Sequence, residues 1–192
     1  MEAIDTLNPI HRISVDQFHR MITAGLFNDG DRVELIDGEM RDMPPIGSPH
    51  NSCTNTLNML FASALAGQAI VSIQGPLVLD GGTELYPDLT VLKLRPDRYR
   101  QANPTGDDTH LVIEVADSSL SLDLQIKLPK YAQAGVPRYW VVDIKGRTIH
   151  DYRDLDRLGH RYRQLRSVTE GAAVFRLEAI DVPVDLSELF SI

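Results

Sequence analysis

Residues 110–143, HLVIEVADSSLSLDLQIKLPKYAQAGVPRYWVVD, read as strand, loop, helix, turn and strand. This unit narrows the folds open to the chain more than any other feature. His110 to Val115 is a β-rich apolar run broken by one carboxylate, Glu114. A charge on a mostly buried strand is costly unless it is paired or binds a metal. Asp123, Lys127 and Tyr131 follow at spacings of four, which puts them on one helix face. Gly135 ends that helix and Pro137 blocks its return. Arg138 to Asp143 is the next strand. A strand end and a helix face that carry Glu and Lys look more like a site than a core.

On either side of this unit the signals are local. Ser14 with Gln17 makes a capping box for a helix from about Val15 to Ala24, closed by Gly25. Asp37-Gly38 between two short runs predicts a hairpin, and Pro44-Pro45 ends it. Leu57, Leu60, Phe61, Ala64 and Leu65 predict a long helix with Ser48 as cap and Pro49 at its first position. Ala69 to Leu79 reads as one extended segment kinked at Gly75-Pro76, and Tyr86 to Leu92 as a strand with Pro87 at its start. Residues 95–109 form a polar loop. Thr148 to Tyr152, Arg161 to Leu165 and Ala173 to Leu177 read as further strands, and Val184 to Phe190 as a terminal helix. The expected class is α/β (α+β), a central mixed β-sheet flanked by helices. At 192 residues a single domain is expected over 1–192, its core at about 30–145, with an N-terminal helix and C-terminal strands.

Composition excludes some functions. The net charge of −8 argues against broad electrostatic binding of nucleic acid, although acids that hold a metal add negative charge of their own. Two basic clusters, Lys93/Arg95/Arg98/Arg100 and Arg157/His160/Arg161/Arg163/Arg166, read first as solvated faces. No apolar run is long enough to predict a transmembrane helix, and the N-terminus lacks a signal-peptide pattern. The single cysteine, Cys53, fits a reducing, cytoplasmic setting and a small helix residue rather than a nucleophile. No histidine spacing suggests zinc, and no P-loop or dinucleotide fingerprint is present.

Asp88, near a strand start, and Glu114, near the end of another, are the residues best suited to chemistry. Two carboxylates on neighbouring strands can hold Mg²⁺ or Mn²⁺, and a lysine such as Lys127 can orient a water or neutralise phosphate charge. The competing reading is an exposed acid at Asp88 and a buried Glu114–Lys127 ion pair, and the residues alone leave both open. Glu39, with Glu34 competing for the role, is a further candidate acid. His50 at a helix start can reach a phosphate or a water, and Tyr131 can bond to Glu114.

Pro87-Asp88, Ile113-Glu114-Val115, Ser118-Ser119, Asp123, Lys127, Tyr131, Gly135-Val136 and Tyr139-Trp140-Val141-Val142-Asp143 resemble the Uma2 family of restriction endonuclease-like proteins. Glu34-Leu35-Ile36-Asp37-Gly38-Glu39, the proline-rich bend and His50 are similar as well, so the resemblance runs from about residue 14 to the C-terminus. It implies a PD-(D/E)XK nuclease core. It also implies an Mg²⁺- or Mn²⁺-dependent DNA endonuclease that hydrolyses phosphodiester bonds through a metal-activated water. Asp88, Glu114 and the Val115 carbonyl would be the metal ligands, and Asp88, Glu114 and Lys127 the catalytic set. Two departures stand out. Ala116 occupies the position of the usual motif lysine, so Lys127 on the helix must replace it. Arg138 stands where the family pattern has an acid and reads as structural. The alternative is a catalytically silent module of the same fold that binds nucleic acid or protein. An exposed sheet edge and an apolar tail of Leu186, Leu189 and Phe190 allow a homodimer.

Overall fold

The computed structural model describes residues 10–28 and 30–191; most of the N-terminal stretch read above for a signal peptide lies outside them. Helix α1 spans Val15–Thr23, and Ser14 and Gln17 close the expected reciprocal capping box. Strands β1 (Val33–Ile36) and β2 (Glu39–Asp42) form the expected hairpin. Its turn needs two residues at positive φ, and Asp37 (52°) and Gly38 (77°) supply them. Helix α2 spans Ser48–Ala64. Its cap is Gly47, with no side-chain hydrogen bond, rather than Ser48.

The stretch expected to be one kinked segment is two strands in two sheets, β3 (Ala69–Ile73) and β4 (Leu77–Asp80). Gln74 at φ 49° and the Gly75-Pro76 pair make the break between them. Strand β5 (Thr83–Leu85), which no sequence signal marked, precedes β6 (Leu89–Lys93). Pro87 and Asp88 therefore lie in the connection before β6 rather than inside it. Strand β7 is Thr109–Ala116 and β8 is Tyr139–Asp143. Strands β9 (Thr148–Asp156), β10 (Arg161–Val168), β11 (Ala172–Leu177) and β12 (Ile180–Asp185) follow.

The helix expected across Asp123, Lys127 and Tyr131 is not regular. It consists of α3 (Leu120–Leu122), a π-turn over Asp123–Lys127 and α4 (Leu128–Gln133). Leu128 N–H reaches back five residues to the Asp123 carbonyl. Pro129 explains the irregularity: it has no N–H, and its ring presses on the carbonyl four residues earlier. A wide turn before it relieves the crowding, and such turns recur at functional sites. The final helix, α5 (Leu186–Leu189), is capped by Asp185.

The fold is mixed α/β. A six-stranded sheet runs β10-β9-β8-β7-β6-β3, a four-stranded sheet β2-β1-β5-β4, and β11 pairs with β12. In the large sheet only β7–β8 is parallel, as the intervening helical crossover requires. Strand alternation gives that sheet two buried faces. Leu111, Ile113 and Val115 join Leu57 and Phe61 of α2, Trp140, Phe175 and α5. Val112 and Ala116 join Tyr131, Tyr139, Ile36 and Leu85 on the other side. Glu114 lies between Val112 and Ala116 in this alternation, so it points toward the α3–α4 crossover. Leu186, Leu189 and Phe190 are buried in the first cluster, which corrects the reading of the tail as apolar surface for a second copy.

Arg138 is structural, as read from the sequence. Its guanidinium grips both oxygens of buried Asp151 at 2.8 Å and donates to the Val174 carbonyl, while Trp140 Nε1 donates to Asp151 at 2.9 Å. Removing the arginine leaves a buried carboxylate short of its cation. Arg138→Met is expected to lower stability by about 3 kcal/mol, read as a shift of the urea midpoint.

Candidate functional site

Leu89 pairs with Ile113 across β6 and β7. One further step of that antiparallel register sets Asp88 opposite Glu114, on the same face. Both are buried, Asp88 at 7% and Glu114 at 4% exposed. Asp88 accepts three hydrogen bonds: Val115 N–H at 2.9 Å and His50 Nε2 at 3.0 Å on Oδ2, and Gln74 Nε2 at 3.2 Å on Oδ1. Each donor has a structural reason to be there. Val112 N–H and the Ala116 carbonyl bond toward β8, so the polar groups of Val115 face the other way, where β6 has not yet begun. His50 sits on the first turn of α2, and Gln74 sits at the left-handed break after β3.

Glu114 Oε1 accepts Lys127 Nζ at 3.1 Å and the Tyr131 hydroxyl at 2.6 Å. Lys127 Nζ also lies 3.2 Å from Glu34 Oε2 and 4.0 Å from Asp123 Oδ1. Ser119 Oγ donates to the other Asp123 oxygen at 2.6 Å. Three buried carboxylates (Glu34, Glu114 and Asp123) thus surround one ammonium, and buried Asp88 lies across from Glu114. The consequences are electrostatic. Burial pushes Glu114 well above the carboxylate range, partly opposed by Lys127. Burial raises Asp123 in the same way. Burial alone would lower Lys127, but Glu114, Glu34 and Asp123 outweigh it and hold the ammonium above its ordinary value.

The sequence candidates sort unevenly. Asp88, Glu114, Val115, Lys127, Tyr131 and His50 meet in one place. Glu39 does not. It faces solvent beside Arg12 (3.0 Å) and Arg41 (3.9 Å), and Glu34 holds the place considered for it. Strand alternation puts both acids on one face of the hairpin, and position along it decides between them: Glu34 lies at the end that meets Lys127, while Glu39 lies next to the turn. Gln74 escaped sequence reading, since a lone glutamine at a strand break carries no signal. Asp123 was marked for its helix face but not as a site acid; its burial arises only when the crossover packs down. Ala116 is a core residue at 1% exposure, so no lysine fits at that position without burying its charge. Cys53 is buried, and burial with the nearby Asp88 charge pushes its thiol up to about 12, which excludes a thiolate role. Four of the seven arginines in the two basic clusters pair with acids: Arg95 with Asp97, Arg157 with Asp107, and Arg161 and Arg163 with Asp156.

A cavity of about 400 Å³ opens over these groups. Arg32, Arg41 and the Met43–Gly47 bend form one wall, and Asp117–Ser119 with Leu122 form the other. Among the described residues no three Asp, Glu, His or Cys side chains are already arranged around a common point. The donor chemistry nevertheless fits a hard cation. Buried Glu34 Oε2 and Asp123 Oδ1 accept no hydrogen bond and meet Lys127 Nζ as ion pairs alone, at 3.2 Å and 4.0 Å, among the described residues, and the acids outnumber the single lysine.

No helix among the described residues is long and apolar enough to cross a membrane. No curated protein matches the chain. Among solved structures, a protein of Anabaena variabilis ATCC 29413 described as a putative nuclease belonging to DUF820 shares the fold. It superposes with a TM-score of 0.71 over 93% of this chain and 98% of its own, at 16% identity. The model of the Uma2 family, described as "Putative restriction endonuclease", matches residues 15–183. With that match spanning nearly all the elements that build the cavity, the chain belongs to the Uma2 family.

Proposed function

We propose that the protein is a divalent-cation-dependent DNA endonuclease, a phosphodiester hydrolase. The observation that carries this reading is the apposition of Asp88 and Glu114 on adjacent strands, with Lys127 against Glu114 at 3.1 Å inside a cavity. The family description and the description of the solved neighbour support it. Asp88, Glu114 and the Val115 carbonyl would hold Mg²⁺ or Mn²⁺, with Glu34 and Asp123 as nearby oxygen donors. Such an ion polarises a phosphoryl oxygen and lowers the pKa of a bound water.

The chain's own residues do the rest. His50, Gln74 and Val115 N–H fix the orientation of Asp88. Tyr131 fixes Glu114 and, being a donor, favours its ionised form. Lys127 stays protonated, so it serves as a charge beside the reacting phosphate rather than as a base. Its position on a crossover helix lets it take the place that Ala116 cannot fill.

Calorimetry with Mg²⁺ and Mn²⁺ and a plasmid-nicking assay, run on wild type and Asp88→Asn, test the assignment. Binding and nicking that both require Asp88 are expected. A folded wild type that binds neither ion, with or without DNA, overturns it. Gln74→Leu removes one donor from Asp88 without touching its charge, and is expected to weaken cation binding about tenfold at unchanged melting temperature. The second reading, a silent module, draws on the fact that both Asp88 oxygens already accept hydrogen bonds from the protein. It predicts a partner complex with no cation-dependent cleavage.

A further inference from the structure

Resting on the nuclease reading, we propose that the site takes an unpaired DNA strand, gripped through its backbone by Arg32 and Arg41. Three observations lead there.

The first is depth. Glu34, Glu114, Asp123 and Lys127 are all at most 4% exposed, and the space above them is about 400 Å³. That is room for a small ligand. A duplex presents each phosphate with its neighbours and the opposite strand held rigidly beside it. A single strand can bend one phosphodiester into a recess, as enzymes that act on recessed atoms require.

The second is the placement of charge. Arg41 is the cross-strand neighbour of Glu34, and Arg32 lies two residues before Glu34. Strand alternation therefore brings all three out on one face of the β1–β2 hairpin. The buried acid points down to Lys127, while the two arginines line the same cavity nearer its mouth. Arg41 is 43% exposed at its side chain, its ion pair with Glu39 is loose at 3.9 Å, and among the described residues the Arg32 guanidinium donates one long hydrogen bond, to the Pro44 carbonyl at 3.4 Å. Lys127 is the other cation lining the cavity, and it is buried among acids. Two guanidiniums side by side cover one short run of backbone. Duplex binding draws on many phosphate contacts spread along the rod, and a chain of net charge −8 opposes it.

The third is the wall. Met43, Pro44, Pro45 and Ile46 line the cavity beside the arginines, and Ile46 is 40% exposed. These apolar surfaces suit unstacked bases. With no aromatic ring or base-reading amide among them, they carry no sequence preference.

The test uses the whole protein in EDTA, where cleavage is suppressed, and fluorescence anisotropy with two probes. One is a short fluorescein-labelled oligothymidine and the other a hairpin duplex with the same label. The single strand is expected to bind at least about tenfold more tightly. Arg32→Ala/Arg41→Ala is expected to weaken its binding about a hundredfold, the order of two lost charge-assisted contacts, and to reduce the salt slope by about 1.4. Circular dichroism confirms that the variant is folded, and the single replacements Arg32→Lys and Arg41→Lys keep the charge and should retain most of the slope. Equal or tighter duplex binding, no binding of either probe, or a double variant that binds like wild type overturns the proposal. Single-strand binding without any cation-dependent cleavage would leave this inference standing and overturn the nuclease reading.

Discussion

Asp88→Asn and Glu114→Gln are each expected to reduce cation-dependent DNA cleavage about a thousandfold or more while leaving the protein folded. The size follows from the chemistry. Loss of an oxygen anchor for a cation that contributes about 4 kcal/mol to transition-state stabilisation corresponds to about three decades of rate. Both replacements are nearly isosteric, so the packing around them should hold. The hydrogen-bond accounts differ. In Asp88→Asn one terminus becomes a donor facing the donors His50, Val115 and Gln74, and an amide flip satisfies only part of that set. A modest drop in melting temperature is therefore expected. In Glu114→Gln the amide oxygen can still accept from Tyr131 and Lys127, and the variant no longer has a buried acid that resists ionisation. Its stability in EDTA should equal or exceed that of wild type at pH 8. Rate measurements alongside thermal melts separate the two effects: loss of rate with a retained melt supports the assignment, and full activity in both variants removes it.

Lys127→Met is the second large effect, and it depends on pH. The lysine is the cation among Glu34, Glu114 and Asp123, and removing one partner of a buried ionic cluster costs about 3–5 kcal/mol. The acids can avoid part of that cost by taking up protons. Even in wild type, burial holds Glu114 and Asp123 above their ordinary values of 4.5 and 3.8. For an acid raised in this way the folded state binds more protons than the unfolded chain. Stability then falls as pH rises from the unfolded pKa through the folded one. Without Lys127 the folded values rise further, so the gap between variant and wild type should be widest at alkaline pH and narrow toward pH 5. Urea midpoints measured across that range check this. A gap that stayed constant with pH would mean that the loss comes from packing alone. Combining Lys127→Met with Glu114→Gln should recover part of the stability, because the lysine's closest carboxylate is then already neutral.

The same carboxylate excess accounts for how the site would respond to a divalent ion. A cation held by these acids would favour the ionised forms of Glu114 and Asp123, whose burial now opposes ionisation. A rise in melting temperature with added Mn²⁺, larger at pH 8 than at pH 6, follows from that linkage.

Much of this site could be read before any coordinates. The crossover unit at 110–143 announced itself through β-branched runs, a glycine stop and spacings of four, because local backbone preferences and side-chain period are written directly into a sequence. Glu114 stood out as a charge on a strand whose pattern calls for burial, Lys127 and Tyr131 by their spacing on one helix face, and Asp88 by its place near a strand start, while the family resemblance joined them into one site. The hairpin at Asp37-Gly38 was legible because only a few residue types tolerate its positive φ angles.

What the sequence left open was decided by long-range packing. The choice of Glu34 over Glu39 depends on which end of the hairpin lies beneath Lys127, a question of sheet docking. Gln74 and His50 reach Asp88 from segments 14 and 38 residues away, and no local rule joins them. Ala69 to Leu79 divides between two sheets because partners in each compete for its two halves. Pro129 was visible in the chain, but its effect, a widened turn that carries Lys127, depends on the crossover being held against β7. The sequence by itself marked most of the elements and the residues that are candidates for the site. Only the tertiary structure decided which acids share one lysine, because burial and pair distances belong to the assembled fold and not to any one stretch of chain.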